Sequence, residues 1–143
     1  MRTGIDIVKD VKSLLEVPEL TSLIDGKIWM FNRPQNSDKT DITIGVLASD
    51  NDWMQQATIN IRIHAKNPAL TFPGSNSVDN TMPNLQVFEP LIKKVCELTD
   101  TQFKSKFNTS VANAGELYRQ NDGSYVALVQ LDYYSIQENF KNI

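Results

Sequence analysis

The stretch Gln56-Ala57-Thr58-Ile59-Asn60-Ile61-Arg62-Ile63-His64-Ala65 decides the fold class. Its apolar and polar residues alternate without a break, which is the pattern of a strand with one face in the core and one face toward water. A pairing shift of one residue would expose the side chains of its three isoleucines to water, so the register is strongly specified. The stretch therefore predicts a long strand in a two-faced sheet.

Prolines, glycines and polar clusters divide the remaining chain into six further elements. These are a helix over 5–15, strands over 27–32 and 41–47, a helix over about 82–99, and strands over about 109–119 and 125–136. The helices repeat apolar residues at helical spacing, and the strands are rich in β-branched and aromatic residues. Trp29 and Phe31 are expected in the core. Asp122-Gly123 accepts the positive φ of a tight turn, which predicts that the last two strands form a hairpin.

The element order predicts an α+β domain. Two helices accompany five strands, most of them in consecutive hairpins. The expected fold is therefore an antiparallel sheet with two helices packed on one face, in the order α-β-β-β-α-β-β. The chain of 143 residues has the usual size of one domain and contains no linker, repeat or low-complexity segment. Residues 1–143 are expected to form a single domain.

Composition favours a protein of a reducing compartment that does not grip nucleic acid. The formal net charge is −3 and the basic residues are dispersed, whereas phosphate binding relies on clustered Lys and Arg. Cys96 is the one cysteine, which excludes an internal disulfide. No apolar run is long enough to span a bilayer, and the start of the chain lacks the pattern of a signal peptide. Synthesis and folding in a cytoplasm are expected.

No set of residues predicts catalysis, a cofactor or a metal site, so the chain is not expected to be an enzyme. His64 is the one histidine, and a solvated or interface position is favoured over a catalytic one. A zinc site needs several Cys or His ligands, and the acidic residues around the second strand lack the spacing of a calcium loop. Those acidic residues, expected in turns and caps, are Asp38, Asp41, Asp50 and Asp52.

The exposed features predict contacts with other subunits. The candidate surfaces are the polar face of the strand over 56–65 and two long polar loops, 33–40 and 67–83. Three prolines exclude a long regular element from the second loop and limit the order that it must acquire on binding. The candidate interface residues are Arg33, Pro34, Trp53, Arg62, His64, Leu70 and Phe72. Alternatively, Leu70 and Phe72 fold back on their own domain, and Trp53 simply begins the third strand.

In its element order and in three stretches, the chain resembles the tail-terminator (tail-completion) proteins of long-tailed bacteriophages. The stretches are Gly26-Lys27-Ile28-Trp29 after the first helix, Asp41-Ile42-Thr43-Ile44, and Ala57-Thr58-Ile59-Asn60-Ile61-Arg62-Ile63. A proline-rich loop, a second helix and a closing hairpin complete the pattern over nearly the whole chain.

This resemblance implies a structural role in the virion, at the junction of head and tail. The implied assembly is a homo-oligomeric ring, a hexamer, that caps the tail tube and joins it to the head-completion or connector protein. DNA passes through the lumen without sequence-specific binding. A closed ring uses head-to-tail interfaces, so each subunit needs two different contact surfaces. The alternatives are another virion structural protein, such as a connector or tail-tube subunit, and a small module that binds a ligand or peptide.

Overall fold

The computed structural model describes residues 2–50, 54–74 and 76–136. Over these residues the helices are α1 (Gly4–Leu15), α2 (Pro18–Thr21) and α3 (Leu85–Thr99). The strands are β1 (Ile28–Met30), β2 (Asp41–Asp50), β3 (Met54–Ala65), β4 (Leu70–Thr71), β5 (Val78–Asp79), β6 (Gln102–Phe103), β7 (Asn108–Arg119) and β8 (Tyr125–Ile136).

One sheet of six strands dominates the fold. Its strand order is β1-β2-β3-β8-β7-β6, while β4 and β5 form a separate two-stranded hairpin. β1 pairs with β2 in parallel, and the other neighbours pair antiparallel. The register shifts in β2, between Val46 and Ala48, and in β7, between Val111 and Glu116. Such irregularities bend strands and increase twist, in keeping with the curled, half-barrel form of the sheet.

The predicted fold class, an antiparallel sheet with two helices packed on one face in the order α-β-β-β-α-β-β, is wrong. The described structure is mostly sheet, with short helices that make up only 24% of it. Four strands of 10 or 12 residues pair along most of their length, so sheet contacts outweigh helix contacts. The first two strands are parallel, not antiparallel as the predicted sheet requires, because the loop over 31–40 carries the chain back to the start of β1 before β2 begins.

The core lies between the helices and one face of the sheet. We call this the inner face; it carries Ile59, Ile61 and Ile63 of β3, all fully buried. α1 and α3 contact the sheet and each other. Their buried residues are Ile7, Val8, Val11, Leu14, Leu15, Phe88, Leu91, Val95 and Thr99. Because neither helix is long enough to be stable alone, this packing holds both in place.

The alternation in β3 is confirmed on its apolar side, where all five alternate residues from Ala57 to Ala65 are buried. The opposite side, which we call the outer face, carries Asn60, Arg62 and His64. It is drier than predicted, since Asn60 is only 5% exposed and the other two side chains are half-buried. Trp29 is half-buried and Phe31 is 44% exposed, so the core position expected for Phe31 is wrong. β1 ends before Phe31, which has a positive φ of 69°.

The described part of the proline-rich segment over 67–83 has no long regular element, as predicted, but it does contain two short strands. It contains the short hairpin β4–β5, in which Leu70 pairs with Asp79 and Thr71 pairs with Val78. The side-chain amide of Asn67 donates to the carbonyl oxygens of Asn80 and Gly123, both at 2.9 Å. These bonds close the segment at its base and tie it to the turn between β7 and β8.

Candidate interaction surfaces

Asp41, at the start of β2, joins the loop over 33–40 to the edge of the sheet. Its Oδ1 accepts from the Lys27 backbone N–H at 2.9 Å and from Trp29 Nε1 at 3.1 Å. Its Oδ2 accepts from Ser37 Oγ at 2.6 Å and lies 3.4 Å from an Arg33 guanidinium nitrogen. The side chain is only 2% exposed, so this carboxylate is a structural centre and not the turn residue that the sequence predicted.

The charge state of Asp41 follows from these contacts. Burial alone raises the pKa of a carboxyl group, but the hydrogen bonds from Ser37, the Lys27 backbone and Trp29, with that from Arg33, outweigh it. The pKa of Asp41 therefore lies below its ordinary value of 3.8. A buried carboxylate with donors on both oxygens remains ionised at neutral pH and fixes the loop conformation.

Arg33, Arg62 and His64 lie close together beside this junction. Thr43 Oγ1 and His64 Nε2 are 3.1 Å apart, across the β2–β3 pair. Burial, together with the charges of Arg33 and Arg62, lowers the pKa of His64 from 6.5 to about 4, against the opposite effect of Asp41. The imidazole is therefore neutral at pH 7. In the described part of the chain, Arg62 has no ion pair, so its half-buried guanidinium gives this region positive charge.

The remaining predicted interface residues lie in two other places. Phe72 is 50% exposed and Leu70 is half-buried, both at the β4–β5 hairpin. Pro34 is exposed in the loop, next to Arg33. Trp53 lies outside the described residues. The structure thus brings Arg33, Arg62 and His64 together and leaves Leu70 and Phe72 on a separate projection.

Two stretches of sheet edge form a candidate surface that the sequence did not predict. β1 covers β2 only from Ile42 to Ile44, so the following residues of β2 pair with β3 on one side and have no described strand on the other. At the opposite edge, β6 covers β7 only at Asn108 and Thr109. The last four residues of β7, Glu116–Arg119, are all exposed. Alternating patterns identify strands but not their neighbours, so nothing in the sequence distinguishes an edge from a central strand.

A groove lies beside β1, between that strand and helices α1 and α2. Its volume is about 390 Å³. The lining residues are Lys12, Glu16, Thr21, Ile24, Gly26, Lys27, Ile28, Trp29 and Met30. Five consecutive residues, 26–30, line it, which shows that the groove follows the strand edge. The Lys27 ammonium lies 5.9 Å from the centre of the Trp29 ring, in the range of a cation–π contact.

A half-buried polar cluster ties the N-terminal residues to the sheet. Arg2 donates two hydrogen bonds of 2.7 Å to the Asp10 carboxylate, and the Tyr133 hydroxyl donates to the same carboxylate. The backbone of Arg2 exchanges bonds with the Gln55 side chain. Burial, followed by the bond to Asp10, raises the pKa of Tyr133 well above its ordinary value. This cluster connects α1, β3 and β8, and we interpret its role as holding these elements together.

The described residues show no metal-binding cluster, and the surroundings of Cys96 disfavour its thiolate form. Among residues 2–50, 54–74 and 76–136, no group of three or more His, Cys, Asp or Glu side chains is placed to hold a metal ion. Burial raises the pKa of the half-buried Cys96 thiol, with a smaller effect from Asp100, which disfavours the reactive thiolate. Over the same part of the chain, no helix has the length and apolar character to cross a membrane.

No protein-family model matches the chain, and no curated protein matches it. The resemblance to tail-terminator proteins therefore stays a prediction from the sequence, and the role that it implies is taken up below as a proposal.

Proposed function

We propose that this chain is the structural subunit of a ring at the head–tail junction of a long-tailed bacteriophage. In this proposal the ring caps the tail tube and joins it to the head-completion or connector protein, with DNA passing through the lumen. The sixfold stoichiometry comes from the resemblance alone.

One observation carries the proposal: over the described residues, the sheet has two uncovered edges that differ from each other. One edge is formed by β1 and the uncovered part of β2, and the other by the last residues of β7. A twofold contact uses the same surface on both partners, whereas a ring uses two different ones. Exposed apolar side chains at both edges favour burial by another copy: Phe31 and Leu47 at the first edge, and Phe103, Leu117 and Tyr118 at the second.

The outer face and the β4–β5 hairpin supply surfaces for the other partners. The positive region around Arg33 and Arg62 is suited to acidic groups on a connector or tube protein. Phe72 and Val78 are 50% and 57% exposed on the hairpin and offer an apolar contact.

The 390 Å³ groove along β1 favours a second candidate function, that of a peptide-binding module. An extended peptide can add to an exposed sheet edge and gain main-chain hydrogen bonds there. In that case the chain would bind a segment of another protein as a monomer and would not close into rings.

Light scattering after size exclusion, combined with a pull-down on purified tail tubes, tests the proposal. We expect a closed oligomer of fixed mass, or a monomer that binds tube ends and forms a ring there. A strict monomer without affinity for tail tubes contradicts the proposal. Growth of the chain by itself into long tubes would instead identify a tail-tube subunit.

A further inference from the structure

We propose that the Glu116–Arg119 part of β7 in one copy pairs antiparallel with β1 of the next copy, so that the sheet continues from subunit to subunit. This inference rests on the proposed ring and specifies its contact. The partner is thus a second copy of this chain, seated in the groove along β1.

Strand direction supports the contact. β1 and β2 are parallel, and direction then reverses at each step through β3, β8 and β7. β1 therefore runs opposite to β7. When two copies stand side by side with their sheets in the same orientation, as neighbours in a ring do, β7 of one copy meets β1 of the next as an antiparallel pair.

The two edges also lie at the same level of the sheet. One row of paired residues crosses the sheet from Ile28 through Ile42, Ile63 and Ala127 to Leu117. The free part of β7 thus lies level with β1 at the opposite edge. Continuing this row into the next copy places Leu117 of that copy opposite Ile28, both on the inner face.

The backbone groups at both edges point in the required direction. On β1, the Lys27 carbonyl accepts from Ile42 and the Phe31 N–H donates to Ile44, so the intervening Ile28 points its N–H and C=O away from β2. On β7, the Gln120 N–H donates to the Ser124 carbonyl, which shows that Gln120 directs its backbone groups toward β8. Successive residues of a strand direct their backbone groups to opposite sides, so every second residue before Gln120 also faces β8. Leu117 therefore directs its N–H and C=O away from β8, and the Ile28–Leu117 pair exchanges two hydrogen bonds.

The side chains are complementary in this register. Glu116 of the incoming strand comes opposite Trp29, and Tyr118 comes opposite Lys27. The ammonium of Lys27 already lies over the Trp29 ring, so the exposed Glu116 carboxylate approaches a positive charge. Leu117, 37% exposed in the single copy, becomes covered beside Ile28. Charge and apolar contacts thus favour the same register.

Charge reversal tests the contact on the full-length chain, assembled alone or on tail tubes. We expect Lys27→Glu and Glu116→Lys each to raise the concentration needed for assembly by about tenfold or more, because like charges would face each other. An equimolar mixture of the two variants should assemble again, since alternating copies restore opposite charges at every contact. The control Lys93→Glu changes a 74% exposed lysine on α3 and should leave assembly unchanged.

A disulfide test measures the register without relying on charge. With Cys96→Ser as background, a chain that carries both Lys27→Cys and Tyr118→Cys should give a ladder of cross-linked multimers on oxidation. Either substitution alone should give none. This contact is overturned if rings assemble but oxidation gives no cross-linked multimers and neither charge reversal changes assembly. The proposed function would still stand in that case. A cross-link from the Lys27→Cys variant to the tube protein also overturns this contact, and a wild-type chain that never assembles overturns both proposals.

Discussion

A Cβ atom placed on Gly26 would lie 2.0 Å from the Oδ1 atom of Asp41 and 2.5 Å from the carbonyl oxygen of Thr40. The chain leaving α2 therefore passes against the buried carboxylate with no room for a side chain. The Gly26 N–H also donates to the Thr40 carbonyl at 3.0 Å, so backbone and side chain fix the same approach.

Gly26→Ala should lower the free energy of unfolding by about 1–3 kcal/mol, since the added methyl group must displace the Asp41 carboxylate or the loop backbone. Urea titration followed by circular dichroism measures the loss. Gly4→Ala is the matched control, because nothing lies within 4 Å of a Cβ at Gly4. Equal stability of the two variants would contradict the close approach.

Asp41→Asn should destabilise the protein by about 1–3 kcal/mol, because an amide nitrogen replaces one of two oxygens that each accept hydrogen bonds. At that position a second donor would face Ser37 and Arg33 or, after an amide flip, Lys27 and Trp29. Denaturant titration gives the magnitude, and tryptophan fluorescence, measured with Trp53→Phe as background, reports whether the contact to the Trp29 indole is lost. Asp38→Asn, at an exposed position in the same loop, is expected to change stability little.

Stability should fall as the pH drops from 6.5 toward 4, because of His64. The pKa of His64 is about 4 in the folded protein against 6.5 ordinarily, so the unfolded chain takes up a proton in this range before the folded one does. Protonation thus favours unfolding. Asp41 adds its own loss only at lower pH, since its pKa lies below 3.8. Thermal melts at steps of pH should show a flatter profile between 6.5 and 4 for His64→Gln; an unchanged profile would exclude His64 as the cause.

The hydrogen bonds of Arg2 and Tyr133 to Asp10 predict how three variants of this cluster should rank in stability. Tyr133→Phe removes one donor and leaves the Arg2–Asp10 pair intact, so the cost should be about 1 kcal/mol. Asp10→Ala removes the acceptor of both partners and should cost more, about 2–3 kcal/mol. The double variant should cost less than the sum, because the two residues share one interaction. Additive losses, measured by the same denaturant titration, would show that the Tyr133 and Asp10 side chains act independently.

The long strands could be predicted because their signal is local. The alternation over 56–65 identified β3 and its buried face, and Asp122-Gly123 identified the turn, where Gly123 has a φ of 87°. In the predicted strand over 125–136, which is β8, Tyr133 is fully buried and stacked on Phe107. Each of these features depends on neighbouring residues along the chain.

The arrangement of the sheet could not be predicted, because pairing depends on contacts between distant residues. The parallel β1–β2 pair and the two-residue strand β6 have no sequence pattern of their own, and both decide where the free edges lie. The role of Asp41 was missed for the same reason, since its donors come from Lys27, Trp29, Arg33 and Ser37. Of the predicted interface residues, Arg33, Arg62 and His64 lie together only because β3 and the loop meet there.

Electron microscopy of purified phage tail tubes, mixed with this chain, tests the central claim most directly. With the chain present, the account predicts one ring at one end of each tube and no further growth from that end. Tubes with bare ends that keep growing, or tubes built from this chain itself, would contradict it.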